Sequence, residues 1–378
     1  MQNTVQKIVI AGHGIAGLTA GDALRRQGFQ GDLTIIGEDP HPTYSRPALS
    51  KAALNPDADL MDTILPEATH AATEVQGSVV GLDVAAQHVE LADGTTVPYD
   101  GLVIATGTRA RRFTDNPNEY TLRTLDEAAT LRTRLAAKPT VTVIGGGPLG
   151  MEVASGARAL GCEVRLIQFG LPMLLQMGPV IAQILTDVAR DNGVEVIDAM
   201  VRSVTPALSP APSGLQVELD NGQIITSDVV VSAIGDAPNT EWLEDSGLLL
   251  DGRLITDTRG RVTDNIVAAG DVAWFNGQRS PVWTSAIEEA KIAAAALLHG
   301  DDAPTINYQP YFWTDQFGLN IKISGPIPHE GDPIVVEGSL TERSALLHWP
   351  TLGTAAAINY RMPVPRLHKL AKSALQVS

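Results

Sequence analysis

The sequence predicts an α/β fold: two parallel-sheet units of one plan, followed by a small α+β domain at the C-terminus. Three observations lead there. A strand, a glycine-rich turn, a helix and a second strand follow one another twice, first from Val5 and again from Val141. Each copy is trailed by a hairpin and a buried strand. After about residue 305 the pattern changes to short mixed strands and a basic tail. A chain of 378 residues is too long for one ordinary core, so two or three domains are expected.

The first copy opens with VQKIVIA (5–11), a short buried strand. GHGIAG follows, then a helical run through Leu24 to Gly28, then the strand LTIIGE (33–38). In the second copy VTVIGGG (141–147) leads into a helix from Leu149 to Leu160 and the strand EVRLIQ (163–168). The trailing hairpins turn at Asp93-Gly94 and Asn221-Gly222. TPALSPAPSG (205–214) is rich in Pro and Ser and reads as a surface loop.

Composition narrows the class. With 44% hydrophobic and 19% charged residues the chain is globular rather than disordered. No apolar run reaches the ~20 residues that span a bilayer. The N-terminal apolar stretch runs straight into a glycine turn, which is a strand and not a signal peptide, and a cytoplasmic location is expected. A net charge of −16 argues against nucleic acid as the main partner. The one cysteine, Cys162, cannot form an internal disulfide or a CxxC pair. It follows Gly161 in a helix-to-strand turn and reads as structural. No His/Asp/Glu cluster has metal spacing, and there is no G-x-S-x-G elbow.

The chemistry lies in the glycine turns. Gly12-x-Gly14-x-x-Gly17 follows a strand and opens a helix. Gly12 permits the tight turn, Gly14 lets backbone approach a pyrophosphate, and Gly17 allows close helix–strand packing. The helix N-terminus offers N–H donors to phosphate. Glu38, at the end of the next strand, suits both ribose hydroxyls of an adenosine. Gly145-x-Gly147-x-x-Gly150 repeats the device, so both units are Rossmann-like nucleotide folds. Its second strand ends in Gln168, a neutral amide, and no Arg or Lys follows in 169–172 to hold a 2′-phosphate. A shallow preference for NADH over NADPH is expected, with NADPH still possible. His13, at an unspecified fingerprint position, reads as filler.

YSRPALSK (44–51) resembles the R-P-x-L-S-K segment of FAD-dependent NAD(P)H:ferredoxin reductases of oxygenase electron-transfer chains. That putidaredoxin reductase-like family follows the glutathione-reductase superfamily plan. IATGTRARR (104–112), GGGPLGME (145–152), SAIGDAPNTE (232–241), NIVAAGDVA (265–273), PVWTSAIEEAKIAA (281–294) and PYFWTDQFGLNIKISG (310–325) resemble further family segments in the same order. The resemblance covers nearly the whole chain. The disulfide-reducing members of the superfamily carry a redox cysteine near the first of these segments, where this chain has none.

The resemblance implies an FAD domain from 1–112 and 242–305, an NAD(P)H domain from 113–241 and a C-terminal domain from 306–378. It assigns Gly12, Gly14, Gly17, Glu38, Arg46, Lys51, Ala105, Thr106, Gly107, Asp271 and Trp283 to FAD. It assigns Gly145, Gly147, Gly150, Glu152, Gln168 and Gly235 to the nicotinamide cofactor. Lys51 and Glu152 are implied as an ion pair in the flavin and nicotinamide environment, with Glu152 in the first turn of its helix. Of the two tryptophans weighed for packing against the flavin region, Trp283 and Trp313, the resemblance favours Trp283. The implied activity passes electrons from NAD(P)H through non-covalent FAD to a small acidic iron–sulfur protein, a ferredoxin that serves an oxygenase. Reduction of rubredoxin, a quinone or another small oxidant stays open, as does a slow-turnover interaction protein resembling apoptosis-inducing factor. From Gly353 to Ser378 there is no Asp or Glu, while Arg361, Arg366, Lys369 and Lys372 are basic, which suggests a ferredoxin-docking face. Arg109, Arg111 and Arg112 form a second basic cluster.

Overall fold

The computed structural model describes residues 5–207, 214–307 and 309–373. The chain divides into two compact units: Met1–Ser45 with Ile64–Arg109 and Ala237–Tyr308, and Arg46–Thr63 with Ala110–Asp236 and Gln309–Ser378.

The first unit is built on a five-stranded sheet whose order is Ile266–Ala268, Gly101–Ile104, Lys7–Ala11, Asp32–Gly37, Thr73–Gln76. All its pairings are parallel. Its strands bury both faces, as a sheet sandwiched between other elements must. Ile8 and Ile10 point to one side, with Ile35, Val103 and Val267. Val9 and Ala11 point to the other, with Ile36, Leu102 and Ile104. The first side is covered by helix Ile15–Arg26 through Ala16, Ala20, Ala23 and Leu24, and by helix Trp283–His299 through Ala286, Ala290, Ala293 and Ala294. Alanines at i, i+4 and i+7 of both helices, and at i+8 of the second, let helix and sheet approach closely. An antiparallel sheet of Val79–Asp83, His88–Leu91 and Thr96–Pro98 contains the hairpin expected at Asp93-Gly94.

The second unit repeats the parallel plan in the order Glu195–Asp198, Glu163–Gln168, Thr140–Ile144, Val229–Ser232, Glu119–Tyr120. Helix Leu125–Ala136 enters it through a capping box between Thr124 and Glu127. The hairpin at Asn221-Gly222 belongs to a three-stranded antiparallel sheet. The segment read as a surface loop at 205–214 falls mostly outside the described residues. Its first two residues instead close the strand Val201–Pro206.

Residues 309–373 group with this unit. They form a five-stranded antiparallel sheet, Tyr311–Gln316, Leu319–Ser324, Thr354–Ile358, Ser344–Trp349, Ile334–Ser339. Helix Val364–Ala371 packs on it through Leu367 and Ala371, against Leu346, Ala355 and Ala357. Cys162 is buried, its thiol pushed up by burial, with Sγ 3.6 Å from the carbonyl of Leu135. This is the structural role expected. Among the described residues no helix is long and apolar enough to cross a membrane.

Candidate functional site

The two glycine loops share one geometry. Gly12 takes a φ of +119°, and a Cβ there would collide with the carbonyl of Ala105. A Cβ on Gly17 would collide with the carbonyl of Gly12. In the second loop Gly145 takes a φ of +103° and faces the carbonyl of Ala233, and Gly150 faces that of Gly145. Each turn is tied to its neighbour strands by matched backbone bonds. Gly12 N–H donates to Ile36 O at 2.8 Å and Gly145 N–H to Ile167 O at 2.9 Å. Ala105 N–H donates to Ala11 O at 2.7 Å and Ala233 N–H to Ile144 O at 2.8 Å. The outer glycines are thus required by packing.

The middle glycines are different. A Cβ on Gly14 or Gly147 would meet nothing within 4 Å. These two are the N-caps of helices Ile15–Arg26 and Pro148–Ala159. Neither helix has a side-chain cap or an acidic residue in its first turn. Each helix therefore presents unsatisfied N–H groups and an uncompensated positive dipole end to open space, an arrangement that fits a pyrophosphate.

The residues around the first loop are held by local bonds. Glu38 lies just past the strand, exposed, and accepts from Ser78 Oγ at 3.1 Å. His13 stands 3.6 Å from Glu74 and packs its Cβ against Gly37. The Ala105-Thr106-Gly107 turn is clasped by Asn239. Thr106 Oγ1 donates to Asn239 O at 2.8 Å, Asn239 Nδ2 returns to Thr106 O at 3.0 Å, and Asn239 N–H donates to Gly107 O at 3.0 Å. Asp271 is half-buried, and its carbonyl accepts from Arg279 at 2.7 Å. Trp283 is half-buried at the start of its helix.

Glu289 is a site residue that sequence reading missed. It is buried and accepts the Gly270 N–H at 3.0 Å, which fixes the turn that carries Asp271. Burial, with the Asp271 charge beside it, pushes its pKa up to about 8. Helical spacing could have found it: Ser285, Ala286, Glu289, Ala290 and Ala293 share the buried face of the helix.

In the second unit the expected ion pair forms. Lys51 Nζ lies 2.8 Å from Glu152 Oε1 and donates to Oε2 at 2.9 Å. Lys51 also donates to Pro47 O at 3.1 Å. Glu152 is the fifth residue of helix Pro148–Ala159. That corrects the expectation of a first-turn carboxylate: Pro148 takes the first helical position and shifts the count. Glu152 is 5% exposed, and two further donors satisfy it. One is Ser50 Oγ; the other is Thr314 Oγ1, at 2.6 Å. Gln316 donates in turn to Thr314 Oγ1 at 3.0 Å. One face of the helix gathers these contacts, since Ser155 accepts the Phe317 N–H at 2.7 Å and Gly156 packs on Leu54. The residues Ser50, Thr314 and Gln316 were not anticipated.

Arg46 belongs to this unit, not to the first with its glycine loop, and donates to the carbonyl of Arg123. Gln168 turns its Oε1 to the Gly146 N–H at 2.7 Å and its Nε2 to Phe169 O at 2.6 Å. Gly235, with φ +94° and nothing within 4 Å of a Cβ, leaves open space. Trp313 is half-buried and stacks on Tyr311, centroids 5.9 Å apart.

The basic clusters differ. Arg366, Lys369 and Lys372 are exposed on or beside the C-terminal helix, whose Leu367 and Ala371 face inward. The arginines at 109, 111 and 112 are bound locally. Arg109 pairs with Glu241, Arg111 donates to Asp236 O at 2.9 Å, and Arg112 donates to Glu119 O at 2.8 Å. Among the described residues no group of three or more His, Cys, Asp or Glu could hold a metal ion.

A family model described as pyridine nucleotide-disulphide oxidoreductase matches residues 6–295. A 3-phenylpropionate/cinnamic acid dioxygenase ferredoxin--NAD(+) reductase component from Photorhabdus laumondii subsp. laumondii is 31% identical, over 98% of each chain. Among solved structures, a ferredoxin reductase for the CYP199A2 system from Rhodopseudomonas palustris superposes with a TM-score of 0.85 at 29% identity, covering 94% of this chain and 91% of that one. The covalent putidaredoxin reductase–putidaredoxin complex gives 0.85 at 26% identity, covering 97% and 92%.

Proposed function

This chain belongs to the pyridine nucleotide-disulphide oxidoreductase family, and on that premise we propose that it carries electrons from NADH through FAD to a small iron–sulfur protein, a ferredoxin that serves an oxygenase. One observation carries the reading. Two open, uncapped glycine loops of the same geometry occur in a chain whose only cysteine, Cys162, is buried. Two nucleotides fit, and a cysteine relay does not. The names of the relatives, ferredoxin--NAD(+) reductase component and putidaredoxin reductase, support the ferredoxin as acceptor.

Bound FAD supplies the redox chemistry, taking two electrons together from the nicotinamide and releasing them one at a time. The protein binds and orients. Gly12, Gly14 and Gly17 bring backbone and helix dipole to the FAD pyrophosphate, and Glu38 accepts the ribose hydroxyls. Asp271, fixed through the Gly270–Glu289 bond, accepts from the polyol chain. Ala105, Thr106 and Gly107, clasped by Asn239, line the same cofactor, with Trp283 as a further contact. Gly145, Gly147 and Gly150 hold the NADH pyrophosphate, with Gln168 and Gly235 at its edges. Glu152 holds the Lys51 ammonium in one position, so the helix of the second glycine loop carries a fixed positive charge beside it. Hydride transfer needs no side-chain acid or base, so Lys51 and Glu152 act by placing charge.

In this reading residues 1–112 and 242–305 serve FAD, residues 113–241 serve NADH, and the remaining C-terminal residues serve the acceptor. The proposed compartment is the cytoplasm, where NADH turns over. The test is anaerobic titration of the purified yellow protein with NADH, watched at the flavin band. Stoichiometric bleaching is expected. Dithionite-reducible flavin that NADH leaves oxidised would refute the proposal.

A further inference from the structure

We propose that Asp198, which has no place in the glycine fingerprint, sets the preference for NADH over NADPH. The inference rests on reading the Gly145–Gly150 loop as the NADH site.

The fingerprint normally ends its second strand with a carboxylate for the adenosine ribose. Here that position is Gln168, and both ends of its amide are engaged within its own loop, at Gly146 N–H and Phe169 O. The chain from 169 to 173 then folds back over the glycine turn. Met173 N–H donates to Gly146 O at 2.7 Å. A Cβ on Gly146 would lie 2.9 Å from Gln168 Cγ and 3.0 Å from Pro172 Cβ. The returning segment therefore closes tightly on the ribose end of the loop.

Asp198 joins this place from the neighbouring strand. Glu163–Gln168 and Glu195–Asp198 pair in parallel, with Gln168 opposite Asp198. Asp198 Oδ1 accepts the Gly170 N–H at 2.8 Å, and the residue is exposed. A carboxylate thus stands level with Gln168 on the neighbouring strand, bound to the N–H two residues past the position where the fingerprint would have put one.

The consequence for the two cofactors follows from charge. NADH presents a neutral 2′-hydroxyl at this end, a donor that a carboxylate can accept. NADPH presents a phosphate of nearly two negative charges, which a carboxylate repels. Phosphates at this position are commonly held by backbone N–H groups and cations. Here the Gly170 N–H is already occupied, and residues 169–172 carry no Lys or Arg. Asp198 therefore makes the preference steeper than a neutral Gln168 would alone.

The test uses the FAD-loaded enzyme and stopped-flow anaerobic flavin reduction by NADH and by NADPH. Asp198→Asn keeps an oxygen for the Gly170 N–H and removes the charge, and its exposure makes misfolding a small risk. The variant should raise the NADPH-to-NADH ratio of kcat/KM about tenfold and flatten the salt dependence of the NADPH reaction. Asp198→Glu should keep the wild-type discrimination. An unchanged NADPH-to-NADH ratio in Asp198→Asn, with NADH still bleaching the flavin, would overturn the role of Asp198 and leave the proposed function standing. Flavin that neither nucleotide bleaches in the wild type would remove the functional reading, and this one with it.

Discussion

Glu289→Gln separates a buried carboxylate from every other titrating group. Glu289 sits in the first unit with its pKa lifted from 4.5 to about 8 by burial and by the Asp271 charge. Below pH 4.5 the side chain is protonated in both folded and unfolded chains and costs nothing. Above that, the unfolded chain ionises freely while the folded one holds its proton. Stability is therefore lost as pH rises, and the loss is complete once pH passes about 8. At pH 7 the loss amounts to about 3 kcal/mol, an upper figure because part of the burial penalty relaxes. Glutamine does not ionise, and its Oε1 still accepts the Gly270 N–H. Urea unfolding of both proteins, with FAD in equal excess, should give equal stabilities near pH 4.5 and a variant that is more stable by a few kcal/mol at pH 8. A difference that stays constant from pH 5 to 9, or a variant weakened throughout, would refute the reasoning.

Three further outcomes are expected. Lys51→Met should slow NADH-dependent flavin reduction by about tenfold with FAD retained, read by stopped flow; a wild-type rate would deny the lysine its role. Thr314→Val strips one of the donors from the buried Glu152 carboxylate and should cost about 1–3 kcal/mol in thermal or urea unfolding. Gln168→Glu should increase the preference for NADH by about 1–2 kcal/mol in relative kcat/KM, checked by steady-state assays with both nucleotides.

What could be read from the sequence was local. Both glycine loops were legible because their chemistry is dictated within a few residues: Gly12 and Gly145 need positive φ, Gly17 and Gly150 need contact with the turn before them. The Lys51–Glu152 pair was legible only through family resemblance, since nothing local joins residues 101 apart. Thr314 reaches Glu152 across 162 positions, and a hydroxyl in a strand gives no sign of where it will donate. Asp198 was hidden for a different reason. Its effect depends on strand order, which puts Glu195–Asp198 next to Glu163–Gln168, and a lone Asp at a strand end reads as a turn residue. The segment Leu174–Asp191, with its break at Gly178 where φ is +71°, carried no expectation at all. The arginines at 109, 111 and 112 read as an open basic cluster because two of their partners, Glu241 and Asp236, lie more than a hundred positions away and the third, Glu119, is met through its backbone carbonyl.

The acceptor is the centre of the account, and one assay addresses it most directly: NADH-driven reduction of cytochrome c with and without a small acidic iron–sulfur protein. The FAD-loaded enzyme alone should reduce cytochrome c slowly, and the rate should climb in proportion to added ferredoxin until it saturates. Replacing Arg366, Lys369 and Lys372 with Gln should lower that rate and flatten its salt dependence while direct ferricyanide reduction is nearly unchanged. A cytochrome c rate indifferent to ferredoxin, alongside fast NADH oxidation by a quinone or oxygen, would contradict the account.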